Sequence, residues 1–324
     1  METGALADKV LAGDRRALAR AITLVESIRP DHRDAAERLL DRLLPATGKS
    51  IRLGISGPPG VGKSTFIEAF GQFTIEQGRR IAVLAIDPSS RVSGGSILGD
   101  KTRMAELSRR PEAFIRPSPA GQALGGVARR TREALLVCEA AGFDLVVVET
   151  VGVGQSETTV ADLVDMFLLL LLPSGGDDLQ GIKRGIMELA DLVIVNKADG
   201  DLAAAAQRTA ADYANALRLM HPLHRSWTTE VVMASALQGQ GLSAVWDKVL
   251  DFDSRMRAGG ELAVKRREQA RSWLWRELSD SLLDVLKNKP GIAEHLLALE
   301  ARVVAGKTTP GAAARDLLQR FMVA

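Results

Sequence analysis

Residues 51–70 read IRLGISGPPGVGKSTFIEAF, and this stretch decides the fold. Its first six residues, Ile51–Ser56, have the apolar, β-branched texture of a buried strand. Gly57, Pro58, Pro59, Gly60, Val61, Gly62, Lys63 and Ser64 then fit GxxxxGK[ST] in full, and Thr65 follows directly. Phe66, Ile67 and Phe70 recur at helical spacing behind it. Between a strand and a helix, this motif curls backbone N–H groups around a phosphate and adds the positive end of the helix. Lys63 is then expected to reach the β- and γ-phosphates of a nucleoside triphosphate, and the Ser64 hydroxyl to ligate Mg²⁺. An accidental Gly-rich turn is the competing reading, and it would not supply the strand and helix on either side.

Six more runs of the same texture follow: 81–86, 114–116, 145–149, 166–172, 192–196 and 231–233. Most are nearly continuously apolar, as strands covered on both faces must be, so the expected class is α/β with a mostly parallel central sheet and flanking helices. Residues 1–48 show only helical periodicity. Asp14 stands as a cap before Ala17, Leu18, Ala21, Ile22 and Val25, and Asp31 opens a second helix that buries Leu39, Leu40 and Leu43. From Gly259 no strand pattern remains. A charged helix with Trp273 and Trp275 runs to Asn288-Lys289-Pro290-Gly291, and two shorter helices follow. The expected division is therefore 1–48 as an N-terminal helical extension, 49–258 as the nucleotide domain and 259–324 as a C-terminal helical arm. Leu274, Leu282, Leu283, Val285 and Leu286, with the two tryptophans, are much apolar surface for a lone arm. They point to homodimerisation through it, or else to packing on the arm's own nucleotide domain.

Asn196-Lys197-Ala198-Asp199 stands at the end of the strand at 192–196, where α/β sheets bind ligands. A carboxylate at Asp199 can accept from guanine N1–H and from its N2 amine. Adenine has an acceptor at N1 and no amine at C2, so it would leave that carboxylate unpaired. The Lys197 stem can lie over the ring, and Asn196 can tie the base loop to the phosphate loop. The other reading of Asp199 is an N-cap for the helix beginning near Leu202. Ser235-Ala236-Leu237 follows the last strand, in the chain order of a loop whose backbone N–H groups contact guanine O6. With the phosphate loop, these motifs predict GTP and GDP as the nucleotides.

Carboxylates at strand ends beside a triphosphate suit Mg²⁺. Asp100, within the run GGSILGDKTRM at 94–104, and Glu149, at the end of the most apolar early strand, are the candidates, with Asp87 behind them. Gln155 could orient an attacking water or be a solvated loop residue. The glycines around these carboxylates would let loops reorganise when the γ-phosphate leaves.

Composition excludes several classes. The 324 residues hold 42 Lys plus Arg against 40 Asp plus Glu, a net charge of +2, so no polyanion-binding face is expected and no nucleic-acid partner. One cysteine, Cys138, rules out a disulfide framework and a cysteine-clustered zinc or iron–sulfur site, and its neighbours Leu135, Leu136 and Val137 make it a small buried residue. Four dispersed histidines do not supply the His-rich tail of a metal-delivering GTPase. The longest apolar run, 166–172, is too short to cross a bilayer, and the N-terminus lacks a signal-peptide pattern, so a cytoplasmic protein without a membrane partner is expected.

The longer signatures GISGPPGVGKST (54–65), DPSS (87–90), GGSILGDKTRM (94–104) and ETVGVGQSE (149–157) resemble the MeaB/ArgK/MMAA family of G proteins. The resemblance covers the nucleotide domain and extends less specifically into both helical ends. It implies a P-loop NTPase fold of the SRP/MinD/BioD class, Mg²⁺-dependent GTP hydrolysis and nucleotide-dependent homodimers. It also implies association with methylmalonyl-CoA mutase, with adenosylcobalamin loading gated and the mutase protected or rescued, and a cobalamin adenosyltransferase as a further partner. Most GTPases have DxxG where this chain has Glu149-x-x-Gly152, a difference the family shares. Residues 177–184, DDLQGIKR, read as a family-type additional switch or as a helix start capped by Asp178. A transport-system kinase or ATPase shares the phosphate loop, and a metal-insertion GTPase shares the base motif as well. Asn196–Asp199 weighs against the first and the missing metal ligands against the second.

Overall fold

A computed structural model describes residues 3–27, 29–87, 104–119, 124–150, 156–173 and 184–323. They form two compact units, Met1–Gln269 and Ala270–Ala324. The first is built on seven parallel strands: β1 (Ile51–Ser56), β2 (Ile81–Asp87), β3 (Ala113–Pro119), β4 (Leu145–Thr150), β5 (Met166–Leu171), β6 (Leu192–Val195) and β7 (Glu230–Met233). All seven stretches read as strands from the sequence are strands, with ends that differ by at most three residues.

Thirteen α-helices are described, besides two short helical turns at Leu44–Ala46 and Gly200–Leu202. The first unit contains α1 (Thr3–Leu11), α2 (Arg15–Val25), α3 (Pro30–Leu43), α4 (Lys63–Glu76), α5 (Ala105–Arg109), α6 (Leu124–Ala140) and α7 (Ser156–Ala161). It continues through α8 (Arg184–Met187), α9 (Ala203–Leu217), α10 (Leu242–Ala258) and the first turns of α11 (Glu261–Asn288). The second unit holds the rest of α11 with α12 (Ile292–Val304) and α13 (Pro310–Val323).

Every buried strand must have both faces covered, and the side chains show how. Leu53 and Ile55 of β1 join one core with Phe66, Ile67 and Phe70 of α4 and Val245, Trp246, Val249 and Phe252 of α10. The Phe70 ring stacks on Phe66 at 5.5 Å and meets Trp246 edge-on at 6.0 Å, which seats α4 against α10. On the opposite face, Arg52 of β1 is buried against Glu139 of α6, with Nε and Nη2 each 2.9 Å from a carboxylate oxygen. Helices α1, α2 and α3 pack on one another and on α6.

A buried charge in a strand is costly unless fully bonded. Arg52 meets that demand within a network at the amino ends of the strands. Its backbone N–H donates to Asp165, whose carboxylate also takes two bonds from Arg266, and Glu139 accepts from the Gly48 amide. Arg266 and Gln269 of α11 also donate to Ser50 O and Val164 O, so the opening turns of α11 belong to the first unit.

The N-terminal reading held for α2, where Asp14 accepts from the Ala17 amide as its cap. Helix α3 differs. It opens at Pro30, and Asp31 bonds the Arg29 guanidinium instead of the helix amides. Leu39 and Leu43 are buried while Leu40 is only half-buried. Cys138 is fully buried, and burial pushes its thiol well above the ordinary range, so it is packing and not a nucleophile. Among the described residues no helix is long and apolar enough to cross a membrane.

Candidate nucleotide site

The strand order β3-β2-β4-β1-β5-β6-β7 puts β1 beside β4. The chain leaves β1 toward β2 and leaves β4 in the other direction toward β5, so their carboxyl ends frame a topological switch point. The phosphate loop leaves β1 there, and Glu149 sits there in register with Ile55. A Cβ at Gly57 would lie 2.5 Å from the Leu170 carbonyl oxygen, so only glycine lets the loop leave β1 this close to β5.

The loop's carbonyls are held by cations and an amide. Lys63 Nζ donates to Gly57 O at 2.7 Å and to Pro58 O at 3.3 Å. Lys197 Nζ donates to Gly60 O at 2.8 Å, and Asn196 Nδ2 to Val61 O at 2.9 Å. The Val61 N–H donates to Pro58 O within the loop, and the peptide N–H groups opening α4 are the donors that a helix amino end offers an anion. The Ser64 hydroxyl, in the first turn of α4, donates to Glu149 Oε1 at 3.1 Å, and Glu149 is only 5% exposed. Beneath them Thr150 Oγ1 donates to Ser56 Oγ at 2.8 Å, both side chains buried.

The base motifs meet the phosphate loop through Asn196, which is 1% exposed. Besides its bond to Val61 O, its Oδ1 accepts from the Ala236 amide at 3.2 Å, so one side chain ties three loops. The Ala236 amide is thus engaged by Asn196 and not left open toward a base. Lys197 has a positive φ of 58°, a left-handed conformation that costs a non-glycine residue about 1 kcal/mol or more. Its tether to Gly60 O accompanies that strain. Asp199 is half-buried, and its side chain makes no cap bond to the short helix Gly200–Leu202. The capping alternative for Asp199 is therefore not realised. Ser235 Oγ accepts from the Gln238 amide, and Leu237 beside it is 83% exposed.

The phosphate motif, Glu149, Asn196–Asp199 and Ser235–Leu237 thus come to one edge of the sheet. Asp100, Gln155, Asp178 and Lys183 lie outside the described residues, as do the side chains of Asp87 and Arg184. Two features escaped the sequence: the lysine tether from Lys197 to Gly60 O, and the hydroxyl pair Ser56–Thr150. The only sequence signal for the pair was a hydroxyl residue ending each of two apolar strands.

Residues 18–291 match the family described as Methylmalonyl Co-A mutase-associated GTPase MeaB. The chain is 56% identical over 321 residues to a protein of Caulobacter vibrioides named as a GTPase, covering 99% of this chain and 98% of that one. It is 50% identical over 322 residues to the Mus musculus protein named methylmalonic aciduria type A homolog, mitochondrial, covering 96% of this chain and 78% of the relative. Among solved structures it resembles the LAO/AO transport system kinase with a TM-score of 0.78 and 36% identity, over 99% of this chain and 97% of the other. The family match runs unbroken from α2 past the phosphate loop and Asp199 into the Pro290-Gly291 turn, so the chain belongs to the MeaB family of GTPases, which bind guanine nucleotides and hydrolyse GTP.

Proposed function

We propose that this GTPase is a cytoplasmic chaperone of the coenzyme-B12-dependent methylmalonyl-CoA mutase, gating adenosylcobalamin loading and protecting or rescuing the mutase. The observation that carries it is the family match over residues 18–291, because the family's description ties its members to that mutase. A cobalamin adenosyltransferase, as donor of the cofactor, fits the same reading as a second partner.

The motifs and their meeting at one edge of the sheet support the following residue roles. Gly57–Thr65 cradle the phosphates, Lys63 neutralises the β- and γ-oxygens, and Asp199 reads the guanine edge beside Lys197 and the Ser235–Leu237 loop. Mg²⁺ takes oxygen ligands, and the Ser64 hydroxyl and Glu149 carboxylate, 3.1 Å apart beside the phosphate loop, are a fitting pair. Asp100 and Asp87 would complete the acidic set, with Gln155 near the attacking water. Held by those residues, the ion would supply positive charge to offset what develops on the phosphates.

A switch can act on a partner only through contacts that differ between its nucleotide states. The mutase is therefore expected to bind the GDP and GTP-analogue forms with affinities differing about fivefold or more, and by linkage to shift nucleotide affinity equally. Calorimetry of mutase binding in each state checks this. Equal affinities, with an unaltered hydrolysis rate, would leave a GTPase without this output.

Homodimerisation through the C-terminal arm belongs to the same proposal. On α11, Leu274 and Trp275 are 66% and 61% exposed, and Leu282, Leu283 and Val285 are each more than half exposed. Such a stripe is costly in water and suits a second copy of the chain. Because Arg266 and Gln269 are bonded into the first unit, the chain should be cut after Gln269 to test it. Light scattering is expected to show a dimer for the full chain and a monomer for residues 1–269. A folded, dimeric 1–269 would sink the arm's role.

A further inference from the structure

The five-residue helix α5 is held at both ends by side chains from elements distant in sequence. Glu68 lies on α4, one turn beyond Ser64. Its Oε1 accepts from the amides of Glu106 at 2.8 Å and Leu107 at 3.0 Å, two first-turn donors that a helix cannot satisfy internally. Among the described residues its Oε2 is buried without a hydrogen-bond partner, a cost that a carboxylate free to reach water would escape. Past the other end, Arg15 from the first turn of α2 donates to Ala113 O, in the first residue of β3, at 2.6 Å, and over longer distances to Arg110 O, just after α5, at 3.4 Å and to Ser108 O within it at 3.5 Å. Its guanidinium lies 5.8 Å from the centre of the Phe114 ring. A carboxylate at the amino end and a guanidinium at the carboxyl end both complement the helix dipole.

Between those ends α5 presses on α4. A Cβ at Gly71 would come within 2.7 Å of Leu107 Cδ2, and Leu107 is fully buried. Five residues do not hold a helix unaided, so the position of α5 is set by its packing on α4 and β3, with Arg15 of α2 bonding the carbonyls where α5 runs into β3. Helix α4 carries Lys63 and Ser64 in its opening turn, so whatever displaces α5 loads the helix that presents them to the phosphates.

We propose that Glu68 and Arg15 are positioning residues for GTP hydrolysis, clamping α5 between the phosphate-binding helix and the N-terminal helices so that those helices set the rate of turnover. The proposal rests on Lys63 and Ser64 being the phosphate-site residues. It asks nothing of the mutase.

The test uses the full-length protein and four variants: Glu68→Ala, Glu68→Gln, Arg15→Ala and the double Glu68→Ala/Arg15→Ala. Steady-state GTP hydrolysis, GDP affinity and melting temperature are measured for each. Glu68→Ala and Arg15→Ala are each expected to lower kcat roughly three- to tenfold while GDP affinity changes less than about twofold. Glu68→Gln keeps a carbonyl oxygen able to accept both amides and is expected to restore most of the lost rate. Because both residues act through α5, the double variant should lose little more than the worse single one. Unchanged kcat in either alanine variant would overturn the proposal. So would losses that simply multiply in the double variant, or lower melting temperatures with kcat intact, which would make both residues ordinary caps. Failure of the wild-type protein to bind GDP would overturn the phosphate-site assignment and this inference with it.

Discussion

Replacing Lys63 with alanine is expected to lower kcat/KM for GTP by a factor on the order of 10² to 10³. The estimate follows from its bonding. An ammonium placed on phosphate oxygens makes charge-assisted hydrogen bonds worth about 1.5–3 kcal/mol each, and about 1.4 kcal/mol is a factor of ten. Lys63 also bonds Gly57 O and Pro58 O, so its removal loosens the loop it spans. Arginine should not rescue the loss, because a planar fork cannot replace a compact charge held against two adjacent carbonyls. Titration with a fluorescent GDP analogue and phosphate-release kinetics would measure both effects. Circular dichroism would show whether the variant stays folded. Wild-type hydrolysis by a folded Lys63→Ala protein would place the phosphates elsewhere.

The sheet was legible because most of its strands are buried on both faces, and continuous apolar runs such as 145–149 and 166–172 have few other uses. Arg52 was not. It interrupts β1 with a charge, and the carboxylate that permits its burial, Glu139, lies 87 residues further along the chain. Pairings at that separation leave no local pattern. Helix α1 lay within the region read as helical but was not set apart from it, and α5 was missed because five residues are too few for a period. Asp31 looked like a cap by residue type, but the neighbouring guanidinium of Arg29 offered a two-pronged partner and won. At the nucleotide site, the motifs located the chemistry but not its wiring. That Asn196 bonds both Val61 O and the Ala236 amide depends on three loops converging, which only the strand order brings about.

Asp199→Asn is expected to move the protein's preference from GTP toward XTP. An ionised carboxylate accepts from guanine N1–H and from the N2 amine, two bonds to a charged group worth about 1.5–3 kcal/mol each. Asparagine offers one carbonyl and one amide. The amide would face the guanine amine donor to donor, so GTP affinity should fall roughly 10²- to 10⁴-fold. Xanthine carries a carbonyl at C2, which that same amide can meet, so XTP should gain where GTP loses. ATP should gain nothing, because adenine has no group at C2 to bond. The substitution is also unusually clean. Asp199 does not cap the helix after it, and it is half-buried instead of sealed in a network. Stability should therefore change by no more than about 0.5 kcal/mol, the range of surface replacements that break no special feature. A loss of GTP affinity can then be assigned to the base contact and not to unfolding. Competition titrations of GTP, XTP and ATP against a labelled nucleotide would measure the swing, with melting temperature as the control. If the variant bound GTP as the parent does, the guanine edge would have to be read by another residue. The convergence of Asn196, Val61 and Ala236 would then be an architectural joint with no part in choosing the base.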